Sequence, residues 1–138
     1  MNEDEPSTPP ERTFSLVEAN VLIPHLREQF VRIKAARSVL LKIGVEIRKA
    51  SMNMEMGGGS PYGRLYLRTL EDIATGMRSL QETGVLIKDL DSGLCDFPHL
   101  SEGRIVYLCW QLGEEKIRWW HEITSGFQGR QPLESLAK

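Results

Sequence analysis

The chain has 138 residues, 41% hydrophobic and 26% charged, which suits one domain with a modest core and excludes a disordered or low-complexity protein. A formal net charge of −2 provides no broad field for nucleic acid or an anionic membrane surface, so neither is an expected partner. No apolar run reaches the roughly 18 residues a spanning helix needs. The acidic, proline-bearing start is unlike a signal peptide, so a soluble cytoplasmic protein is expected.

Residues 1–12, MNEDEPSTPPER, hold three prolines and no large apolar side chain, and are expected to be a disordered tail ahead of a single domain over 13–138. Ser15 with Glu18 forms a capping-box pattern, and Phe14 stands where a hydrophobic staple belongs. Leu16, Ala19 and Ile23 then repeat at helical spacing until Pro24, which predicts a kink and a fresh helix with the proline in its first turn. That helix carries Leu26, Ile33, Leu40 and Ile47 at a spacing of seven, flanked by Phe30, Ala36 and Ile43. It should fail near Ala50, because Ser51 to Ser60 ends in three glycines. Pro61 restarts a helix whose stripe is Tyr66, Leu70, Ile73, Met77 and Leu80. The two should pack as an antiparallel hairpin over 15–83.

Gly84 predicts the end of the second helix, and the period then changes. VLIKDL (85–90), a DSG turn and LCDFP (94–98) read as a hairpin, with Lys88 opposite Asp96. RIVYLCWQL (104–112) reads as a central strand and IRWWHEI (117–123) as a fourth. The expected class is α+β: an N-terminal antiparallel helical hairpin packed on a small C-terminal antiparallel β-sheet of three to four strands over 84–133.

KDLDSGLCDFP (88–98), GRIVYLCWQLGE (103–114), WWHEITSGFQGRQPL (119–133) and FSLVEANVLIPHLR (14–27) resemble, in order, the motifs of a bacterial family known as domain of unknown function 2203. The resemblance runs from Phe14 to Leu133 and implies one intact unit. It implies no activity, substrate or catalytic residue.

The chemistry-bearing residues are therefore read for themselves. Asp89, Asp91 and Asp96 suggest a calcium loop, but Gly93 and Leu100 occupy two positions where an EF-hand needs ligands, which leaves a hairpin turn. His121-Glu122 lacks the second histidine of a zinc-protease helix, since Ser125 stands there. A looser divalent-metal site from His121, Glu122, Glu114 and His99 competes with the plainer reading of a strand histidine beside a solvated Glu122. Trp119 and Trp120 must face opposite sides of a strand, so one needs cover from the C-terminal loop, a second subunit or a ligand. Arg130, between Gly129 and Gln131, either binds an anion or ties its loop to Glu114, Glu115 or Glu122. Cys95 and Cys109 form no CxxC pair and read as free core thiols, and no nucleophile elbow or phosphate loop occurs.

Two functions compete. One is a non-enzymatic module that self-associates, as a homodimer, through its helical stripes, with Trp119, Trp120, Arg130 and Asp96 as binding surface. The other is a small metal- or anion-dependent enzyme centred on His121, Glu122, Glu114 and Arg130.

Overall fold

The structure, a computed structural model, describes residues 12–52 and 62–136. Helix α1 spans Leu16–Met52 and helix α2 spans Gly63–Glu82. Strands β1 (Leu86–Asp89), β2 (Leu94–Ser101), β3 (Arg104–Gln111), β4 (Trp119–His121) and β5 (Gln131–Pro132) follow. The class is α+β, two packed helices ahead of an antiparallel meander in the order β1-β2-β3-β4-β5. The meander has five strands where three to four were expected. The 117–123 segment forms a shorter strand, and Gln131–Pro132 adds an edge beyond it. The chain divides into two compact units, Glu28–Ser79 and the residues on either side of it.

The start of α1 follows its sequence signal. Ser15 N–H donates to Glu18 Oε1 at 2.9 Å, and Glu18 N–H donates to Ser15 Oγ at 3.1 Å. These bonds, the backbone one first, hold the Glu18 carboxyl below its ordinary pKa. The expected break at Pro24 does not occur, and α1 runs unbroken through it. Proline forfeits one helical hydrogen bond, at a cost of about 3 kcal/mol. Ile23, Leu26 and Phe30 are buried around it, each contributing about 1.5–3 kcal/mol, which outweighs that cost. The helix also persists past Ala50 to Met52. The expected glycine loop, Pro61 and the tail up to residue 11 lie outside the described residues. Arg12 is described: its guanidinium sits 4.0 Å from the Phe14 ring centroid, and Nη1 donates to the Thr83 carbonyl at 3.2 Å.

Within Glu28–Ser79, α1 buries Phe30, Ile33, Ala36 and Ile43, while α2 buries Thr69. The α2 face differs from the expected stripe. A Cβ on Gly76 would lie 2.7 Å from Ile33 Cγ1, so Ile33 packs directly against this small residue. Contact through Thr69 and Gly76 turns α2, leaving Leu70 and Met77 each 39% exposed and Leu67 61% exposed. Arg32 Nη2 and Asp72 Oδ1 bridge the two helices at 3.5 Å.

In the other unit, Gly84 (φ +83°) ends α2 and the sheet begins. Ser101 pairs with Arg104 across a two-residue turn, Glu102 (φ 49°) and Gly103 (φ +79°), whose two positive φ angles match the twist of a hairpin. That turn places Asp96 opposite Cys109 and Phe97 opposite Leu108. Tyr107 then faces His121 on β4. By alternation, Asp96, Tyr107, Cys109, Trp119 and His121 share one face of the sheet. Phe97, Leu108, Trp110 and Trp120 share the other, where Phe14 meets Phe97 edge-on at 5.4 Å. Phe14 N–H donates to the Pro98 carbonyl at 2.7 Å, and the Asn20 side chain accepts from Ile117 N–H at 2.9 Å, anchoring the start of α1.

Candidate functional site

The register of β1 moves the expected partner of Asp96. The turn closes on Asp89 and Leu94, and an irregularity between Ile87 and Asp89 shifts the register once more, so Leu86, not Lys88, stands opposite Asp96. Lys88 instead places its ammonium 5.6 Å from the Tyr107 ring centroid. The turn acceptor is Asp89, whose Oδ2 takes the Ser92 N–H at 3.0 Å and the Ser92 hydroxyl at 2.5 Å. The hydroxyl bond, then the backbone bonds, lower the Asp89 pKa.

With Leu86 opposite it on β1, the Asp96 carboxylate finds its partner on β4. His121 Nε2 donates to Asp96 Oδ1 at 2.9 Å, and both side chains are almost fully buried. His121 Nδ1 lies 2.7 Å from the Glu122 carbonyl, which only accepts, so Nδ1 also carries a hydrogen. With both nitrogens donating, the ring is an imidazolium held against a carboxylate. Burial alone would lower the His121 pKa. The hydrogen bond to Asp96, then the Cys109 contact, the Asp96 charge and the Glu122 carbonyl reverse that and push it up to about 10. Tyr107 packs edge-on to the imidazole at 5.4 Å, and its hydroxyl pKa is raised, first by burial and then by the Asp96 charge.

Cys109 completes the group. Donor atoms of Asp96, Cys109 and His121 all lie within 4.8 Å of one another, and all three residues are buried. They line a cleft of about 130 Å³ that Lys88, Ile123 and Phe127 also border. Cys95 is a free, buried thiol as well, but it points to the other face and contacts the Gly93 carbonyl. Burial, then the Asp96 charge and neighbouring Cys109, raise its pKa.

The other residues singled out from sequence go elsewhere. Glu122 pairs with Arg104 near the surface. Glu114 Oε1 accepts from Arg130 Nη2 at 2.6 Å and from Gln111 N–H at 2.6 Å. Arg130 lies between two aromatic rings, 5.3 Å from Trp119 and 4.6 Å from Phe127. It therefore both ties its loop to Glu114 and covers Trp119. Trp120 is buried and donates Nε1–H to Ser135 Oγ at 3.0 Å. His99 donates from Nδ1 to the Phe14 carbonyl at 2.7 Å and holds α1's start. His121, Glu122, Glu114, His99 and Arg130 thus enter four separate arrangements. The metal-ligating types that do converge are Asp96, Cys109 and His121. In the sequence, Cys109 reads only as inert core. The overlooked signal was Glu102-Gly103: read as a two-residue turn, it pairs Asp96 with Cys109 directly.

These features define an α+β protein with a helical hairpin and a five-stranded meander, one face of which carries a buried Asp–Cys–His cluster. Residues 12–133 match the family model described as "Uncharacterized conserved protein (DUF2203)", and the chain belongs to that family. No curated protein and no solved structure matches it. Among the described residues, no helix is long and apolar enough to cross a membrane.

Proposed function

We propose that this chain is a non-enzymatic assembly module that pairs with a second copy of itself through its helical hairpin. One observation carries the reading: the α2 stripe Tyr66, Leu70, Ile73 and Met77 keeps the alternating four-and-three spacing of a bundle seam, yet Leu70 and Met77 are each 39% exposed in the single chain. Leu67, 61% exposed, extends the same apolar flank. A two-fold pairing of hairpins would bury this flank in both copies. Trp119 contributes nothing to the proposal, because Arg130 covers it. A cytoplasmic location belongs to the same proposal, supported by two buried, unpaired cysteines that suit a reducing compartment.

Sedimentation equilibrium across micromolar concentrations tests this. The expected result is a dimer that Leu70→Asp with Met77→Asp weakens at least a hundredfold, about 3 kcal/mol, with an unchanged circular dichroism spectrum. A wild-type chain that stays monomeric throughout the range would sink the reading.

A further inference from the structure

We propose that Asp96, Cys109 and His121 form a binding site for a divalent transition-metal ion of the zinc class, with its fourth coordination position open to the cleft beside Lys88. The site is independent of the hairpin pairing and lies in the other compact unit.

The donor set is one nitrogen, one oxygen and one sulfur, all within 4.8 Å of one another. A thiol among the ligands selects zinc-like ions over calcium or magnesium, which prefer all-oxygen shells. Around a tetrahedral zinc ion, with bonds of about 2.0–2.3 Å, such donors stand about 3.3–3.6 Å apart. The 2.9 Å between His121 Nε2 and Asp96 Oδ1 needs to open by about half an ångström to reach that spacing. His121 is already aimed: Nδ1–H is fixed by the Glu122 carbonyl at 2.7 Å, the orienting bond that metal-bound histidines make on their far nitrogen. The ring therefore presents Nε2 to the other two donors. Three protein ligands and a small open cleft leave one position for water or for an anionic oxygen, and the Lys88 ammonium on the rim favours the anion.

All three ligand residues are buried, so an ion held there sits inside the sheet's packed face rather than among surface carboxylates.

The test uses the full chain, untagged and treated with chelator, titrated with cobalt(II) and with zinc. One equivalent should remain through gel filtration. Cobalt should give visible d–d bands and a near-ultraviolet thiolate charge-transfer band. Cys109→Ser should abolish the charge-transfer band and weaken zinc retention at least tenfold, while Cys95→Ser keeps both. Should Cys109→Ser fail to fold, X-ray absorption on the zinc-loaded native chain decides, with one sulfur expected in the first shell. A native chain that retains no metal, a shell of nitrogen and oxygen only, or a charge-transfer band that survives Cys109→Ser overturns the proposal.

Discussion

Arg130 is the clearest point at which one substitution should disturb the sheet's outer cover. Its guanidinium lies between Trp119 and Phe127 and bonds Glu114, and the two charged side chains are 15% and 24% exposed. The pair falls between a surface bridge, about 0–1 kcal/mol, and a buried one, whose breakage costs about 3–5 kcal/mol. Glu114 keeps the Gln111 N–H, which limits the penalty for its stranded charge. Each cation–π contact adds about 0.5–1 kcal/mol. Arg130→Ala should therefore cost about 2–4 kcal/mol, and lower Tm by about 7–14 °C for a chain of this size. Arg130→Lys keeps the charge but not the flat stacking surface, and should lose about half as much. Urea denaturation followed by tryptophan fluorescence measures both variants, and a cycle with Glu114→Gln should give a coupling above about 1 kcal/mol. Arg130→Ala within about 0.5 kcal/mol of wild type would refute the idea that this residue anchors the loop.

Two further outcomes follow from the sheet. In metal-free protein the His121 pKa rises from its ordinary 6.5 to about 10, so its stabilising contribution is complete below pH 6.5 and is lost as pH climbs towards 10. The urea midpoint should fall across that window in wild type and stay flatter in Asp96→Asn; equal slopes would refute the ion pair. Gly93 (φ +69°) would place a Cβ 2.5 Å from Leu112 Cβ, whereas Gly103 (φ +79°) has nothing within 4 Å. Gly93→Ala should cost about 3 kcal/mol and Gly103→Ala about 1–2, because only the first adds a clash to the left-handed strain; similar costs by chemical denaturation would contradict this.

The sequence revealed whatever depended on local chemistry. The Ser15–Glu18 box, the glycine stop at Gly84, the two helices and the switch to strand periodicity all lie within a few residues of their causes. What it hid depended on partners far along the chain. Pro24 reads as a break, because the local cost is visible and the burial of Ile23 and Leu26 that outweighs it is not. The α2 stripe reads as wholly interior, because nothing local shows that Gly76 lets the helices approach on a neighbouring line. Lys88 reads as the partner of Asp96, because neither the closing pair Asp89–Leu94 nor the irregularity behind it is legible in VLIKDL.

The same distinction orders the ionisable residues. Arg104–Glu122, Glu114–Arg130 and Asp96–His121 are three oppositely charged pairs, each joined across the fold rather than along it. The first is near the surface, where solvent screens it and either partner tolerates being alone. The second is half-shielded and serves to hold a loop over Trp119. Only the third is dry, and a dry carboxylate cannot persist without a compensating positive charge. The proton on His121 meets that demand. No other group of three metal-ligating side chains gathers this closely among the described residues, which is why this face of the sheet, and not the His121-Glu122 dipeptide itself, is where chemistry should be sought.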